Sequence, residues 1–164
     1  MSSPVATFRG RWEFVHAMSM AFVEAVPDRC WDSSPDAGFA PLSKQFRHVV
    51  CVRGVYNDGL VSGRVDFSRK HEHYSGGLAR DDLVPALTEK HEELLAILDD
   101  AERLEAPDFA IDFFGRPLDF SGYSYVPVQH EAIHHGQWSL YAAHGGFETP
   151  ALWRSAWGLG AGAV

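Results

Sequence analysis

The chain has 164 residues, which fits one domain long enough to bury a substantial core, and its 46% hydrophobic and 22% charged content reads as a soluble globular protein. A net charge of −8, from 22 acids against 14 bases and with no Lys/Arg cluster, argues against tight binding to nucleic acid. No run is apolar enough to cross a membrane, the N-terminus lacks a signal-peptide core, and Cys30 and Cys51 form no CxxC pair, so a reducing cytoplasm is the expected compartment.

Residues from about Phe8 to Val26 carry the first helical pattern. Phe8, Trp12, Val15, Phe22 and Val26 recur at helical spacing, Ser19 shares their stripe, and Phe14, Met18, Ala21 and Ala25 widen it. Pro27 ends the pattern, and His16 lies beside the stripe as a partly buried or surface histidine. Prolines and a glycine make 27–41 a loop, with Trp31 and Phe39 expected to pin it to the core. A second helix is predicted over about 42–60, with Leu42, Phe46, Val49, Tyr56 and Leu60 on one face. Arg53 interrupts that face, and His48 sits one position from it.

The stretch 61–80 reads as a long glycine-flanked loop in which Lys70-His71-Glu72-His73 is solvated surface. The third helix is predicted over about 82–105, with Asp81 or Asp82 as its cap, Pro85 in its first turn, and Leu83, Leu87, Leu94, Leu98 and Ala101 buried. His91 falls on that stripe. The aromatic-rich 107–124 is expected to be a short hairpin or an ordered loop, lining either a pocket or a dimer interface. A fourth helix is predicted over about 126–143, stopped by Gly145-Gly146, with a short helix over 150–157 and a frayed tail after it. Four helices with apolar faces predict an all-α, four-helix bundle with a short extra C-terminal helix, in one domain over 1–164.

The most specific chemistry lies in Gln129-His130-Glu131-Ala132-Ile133-His134-His135-Gly136-Gln137. His130 and His134, four apart, share one face of a helix, within reach of one metal ion. Three readings compete. The plainest makes the side bearing His130, His134, Gln137 and Tyr141 a solvent-facing polar stripe. The second takes His130-Glu131-x-x-His134 as the zinc-protease signature, with Glu131 as base. Its downstream context is poor: Gln137 and Leu140 stand where a metzincin has Gly and His. The third adds a histidine from another helix, His48 with His91 as its rival. Three protein ligands leave coordination positions open, which is the arrangement of a catalytic rather than a structural zinc.

The stretch resembles the fourth-helix motif of the DinB-like superfamily, metal-binding four-helix bundles that include the damage-inducible DinB proteins of bacteria. The motif there is His-x-x-x-His followed by Arg-Gly-Gln; here His135 stands for the arginine, ahead of Gly136-Gln137. The resemblance spans about 42–157 and places the remaining ligand in the second helix, at Phe46-Arg47-His48. Many members carry a glutamate five residues further on, where this chain has Arg53. It implies a metal triad of His48, His130 and His134 holding one divalent ion, zinc or nickel. It also implies a small-molecule substrate, with a low-molecular-weight thiol such as bacillithiol or mycothiol as partner, and a homodimer. The expected function is a metal-dependent thiol S-transferase-like enzyme in stress response or detoxification, acting through a metal-bound thiolate or water. A non-catalytic, stress-induced metal-binding dimer is the alternative. Glu131, Arg53 and Tyr141 are the candidate catalytic groups, with Gln137 a further group near the metal.

Overall fold

A computed structural model describes residues 2–158. The long helices are α1 (Pro4–Ala25), α3 (Leu42–Ser62), α4 (Arg80–Ile97) and α7 (Tyr125–Gly145). Shorter helices are α2 (Asp28–Trp31), α5 (Ala101–Leu104), α6 (Phe120–Tyr123) and α8 (Ala151–Trp157). The chain is an all-α bundle in which α1 packs on α7 and α4, and α3 packs on α4 and α7. The tail expected to fray lies, from residue 159 on, outside the described residues.

The boundaries have local causes. Ser3 caps α1 by accepting from Ala6 N, and Pro4 occupies its first position. At the other end of α1 the carbonyls of Val23 and Val26 accept from the Arg80 guanidinium, which also lies over the Trp31 ring at 4.4 Å. Gly63 and Gly146, both left-handed, close α3 and α7.

The helix predicted over 82–105 is two helices. It starts at Arg80 with Ala79 as its N-cap, so Asp81 and Asp82 stand in its first turn instead of capping it. It stops at Ile97 because Asp100, accepting from Arg103 N, starts a new helix, although Leu98 and Leu104 stay buried. Two stretches expected as loops hold helical turns: α2, and a 3₁₀ segment over Phe67–His73. Within the latter His71 is exposed, but His73 packs so tightly on Gly54 that a Cβ there would stand 2.5 Å from it. Phe14, expected on the apolar face of α1, is 43% exposed.

The 107–124 segment contains a hairpin, β1 (Ile111–Phe113) and β2 (Arg116–Leu118), paired antiparallel. Phe114 and Gly115 form its two-residue turn, both at positive φ. Main-chain hydrogen bonds from Val65 N to Asp112 O and from Asp112 N to Gly63 O tie it to the segment after α3.

The core has two apolar regions. One centres on Phe22, Phe46, Trp138 and Trp153, with Trp31 stacked on Phe46 at 5.0 Å and Phe39 against Tyr141 at 6.0 Å, as the pinning residues require. The other centres on Phe8, Trp12, Tyr56, Leu94 and Tyr123. Buried Ser19, Arg53, Glu131 and His135 come from the helices that supply both regions. No helix of the described residues is long and apolar enough to cross a membrane.

Candidate metal centre

His48 on α3 and His130 and His134 on α7 converge. His130 Nε2 lies 3.2 Å from His48 Nε2 and 3.2 Å from His134 Nε2. His130 Nε2 carries either one N–H or one in-plane lone pair, so it can hydrogen-bond well to only one of its two neighbours. Ligand bonds of about 2.0–2.1 Å at tetrahedral angles would separate two nitrogens by about 3.3–3.4 Å. The donor set therefore fits a divalent cation, and these three histidines can hold one. His134 is buried, while His48 and His130 are half-buried.

Burial holds the rings neutral. It lowers His48 to about 4, helped by the neighbouring His134 and Lys70, and His130 to about 3, helped by His134. It also lowers His134, against the opposing pull of Glu131 and of the Gln137 amide. Nδ1 of His134 and Oε1 of Gln137 are both buried, and neither has a hydrogen-bond partner among the described residues.

The remaining sequence candidates take different places. Glu131 and Arg53, each 1% exposed, pair with one another: Arg53 Nε donates to Glu131 Oε1 at 2.7 Å and Nη2 to Oε2 at 3.1 Å. Ser19 donates to Glu131 Oε2 at 2.5 Å, and His135 Nε2 lies 2.7 Å from the Ser19 hydroxyl. Arg53 also donates to Leu87 O at 2.8 Å and lies 5.1 Å from the Trp12 ring centroid. Burial by itself would raise the Glu131 carboxyl, but the Arg53 guanidinium outweighs it and holds the group below the usual carboxylate range. Glu131 is thus a committed ion-pair partner and not the free base that the zinc-protease reading needs. The two departures from the family motif, Arg53 and His135, face this same carboxylate. Tyr141 donates to Ala40 O and accepts from Gln45 Nε2 at 3.4 Å, so its hydroxyl is engaged with the 27–41 connection.

His91 stacks on His16 at 3.8 Å with the rings 4° from parallel, apart from the triad. His73 stands 3.6 Å from Asp58, also apart from it. Tyr56, read from sequence only as an apolar stripe residue, packs edge-on against His130 at 5.7 Å. Its place on the helix of His48 was the available signal, but an aromatic on a buried stripe is ordinary core.

The histidine protonation gives a pH dependence. Besides the ligands, burial lowers His16 to about 3 and His135 to about 4, both below the unfolded value near 6.5. The unfolded chain therefore takes up these protons first. Stability is full above about pH 6.5 and is lost as pH falls below it toward the folded values. One such histidine contributes up to about 1.4 kcal/mol per pH unit. Metal-free protein should therefore melt several degrees lower at pH 5.5 than at pH 7.5 by calorimetry; a flat or rising profile would contradict the buried, neutral rings.

The family model for the DinB superfamily matches residues 11–138. This chain belongs to the DinB superfamily. The crystal structure of a DinB-like protein of Bacillus subtilis, YjoA, is similar at a TM-score of 0.66 and 16% identity, covering 88% of this chain and 94% of that one. That likeness bears on the fold. No curated protein matches the sequence.

Proposed function

We propose that His48, His130 and His134 bind one divalent cation, zinc or nickel, and that the chain is a metal-dependent enzyme of the thiol S-transferase type. The observation that carries this reading is the convergence of three Nε2 atoms at 3.2 Å steps, from two helices, in a site that burial keeps unprotonated. A divalent cation there would supply acidity to a coordinated thiol or water, making sulfur or oxygen nucleophilic at neutral pH. The chain's own residues hold the geometry. The Arg53–Glu131 pair locks α3 to α7 five residues after His48 and one after His130. Tyr56 covers the side of His130.

In the proposed transfer a sulfur–carbon bond forms, the leaving group departs from the electrophile, and the thiol proton passes to solvent. The expected partners are a small electrophile and a low-molecular-weight thiol in the cytoplasm, with a role in stress response or detoxification. The free, buried Cys30 and Cys51 suit a reducing compartment. A homodimer is supported by Ile133 and Leu140, 62% and 52% exposed and two turns apart on α7.

Metal analysis of purified protein, followed by a turnover screen of bacillithiol, mycothiol and glutathione against 1-chloro-2,4-dinitrobenzene, tests the reading. About one metal per chain is expected, with thiol-dependent turnover that disappears on chelation. Stoichiometric metal with no turnover for any thiol would favour the non-catalytic metal-binding protein. Light scattering reports the dimer.

A further inference from the structure

An unbroken series of aromatic contacts runs from the hairpin to the triad. Phe114, in the hairpin turn, stacks on Phe67 of the 3₁₀ segment at 5.7 Å and 11°. Phe67 meets Tyr56 edge-on at 5.8 Å, and Tyr56 meets His130 at 5.7 Å. Exposure falls along the series: Phe114 is 73% exposed, Phe67 half-buried and Tyr56 6% exposed. Folding alone does not account for its outer end. Phe114 adopts φ +54°, a left-handed backbone that a bulky residue rarely takes, and leaves most of its ring in water. Two main-chain hydrogen bonds between β1 and the segment after α3 hold the hairpin in place.

The same 3₁₀ segment brings a cation. Side chains three apart on a 3₁₀ helix eclipse, which sets Lys70 on the side of Phe67. Lys70 is half-buried. Its neighbour Arg69 is paired with Glu72, but Lys70 has no carboxylate partner among the described residues.

We infer that Phe114, Phe67 and Lys70 form a subsite for the planar aromatic, anionic part of a ligand whose donor atom reaches the His48–His130–His134 triad. This rests on the reading of the triad as a metal site. Aromatic faces favour a planar ring beyond its apolar area, and an unpaired lysine beside it favours a carboxylate over a neutral or cationic group. The exposed aromatics of the 107–124 segment thereby line a small-molecule site.

Cobalt(II)-loaded protein tests this, because thiol binding perturbs the visible bands of the metal without need for turnover. Wild type, Phe114→Ala and Lys70→Gln would be titrated with ethanethiol, benzyl mercaptan and 4-(mercaptomethyl)benzoate. Both substitutions are at accessible side chains, and circular dichroism checks that each variant is folded. Wild type should prefer benzyl mercaptan to ethanethiol, and Phe114→Ala should cut that ratio by about three- to tenfold. Wild type should also prefer the benzoate to benzyl mercaptan, and Lys70→Gln should cut that ratio by about two- to fivefold. If wild type takes up no cobalt, the metal reading fails and the subsite falls with it. If cobalt binds and either ratio is the same in wild type and its variant, the subsite alone is overturned.

Discussion

Purified His48→Ala protein is expected to carry almost no metal while keeping its helical circular dichroism. His48 is the one triad histidine on α3; His130 and His134 sit a turn apart on α7. Removing it leaves two imidazoles on one helix, a weak chelate for zinc or nickel. The fold should persist because His48 is half-buried and the stripe around it, Phe46, Val49, Val50 and Val52, is untouched. His91→Ala is the matched control. His91 stacks on His16 and stands outside the triad, so about one metal per chain should remain. Elemental analysis of both variants after gel filtration decides between them. Metal retained in His48→Ala and lost in His91→Ala would place the site around the His16–His91 pair and sink the triad.

The largest stability effect is expected from Arg53→Met. Arg53 and Glu131 are each 1% exposed and share two hydrogen bonds, at 2.7 and 3.1 Å. Losing the guanidinium strands a carboxylate in the core with only Ser19 and His135 beside it. Breaking one side of a buried pair costs about 3–5 kcal/mol. At roughly 2–4 °C per kcal/mol for a chain of this size, the metal-free protein should melt about 6–20 °C lower. The double variant Arg53→Met/Glu131→Gln should recover much of the loss, because no charge is then left unpaired. A single variant melting within about 2 °C of wild type would show that the pair contributes little to the fold.

That ionic cluster shows how far local pattern carries. Arg53 is legible in sequence as a charge on an apolar stripe, and Ser19 as a hydroxyl on another. Their common partner is not legible, because Glu131 is 78 residues from Arg53 and 112 from Ser19. The third helix shows the opposite case. Its apolar spacing continues through Leu98 and Leu104, both buried, while the main chain breaks at Asp100, whose carboxylate competes locally for an amide. Burial follows the stripe there and the hydrogen bonding does not.

By itself the sequence determined what is local or periodic. The i, i+4 histidine pair, the apolar faces of the long helices and the glycine stop after α7 follow from helical spacing or from cap chemistry, whereas 107–124 was legible only as a hairpin or an ordered loop. The choice of His48 over His91 came from the resemblance to the DinB-like motif, since both lie on helical stripes. Only the tertiary structure decided that His48, and not His91, meets His130, because the rotation of one helix against another is set by packing across the bundle. It also decided that Glu131 turns to Arg53, and that Phe114, Phe67 and Tyr56, scattered over three elements, line up on His130. No periodicity links residues that far apart; they meet because burying the apolar faces of α1, α3, α4 and α7 leaves one arrangement in which they touch.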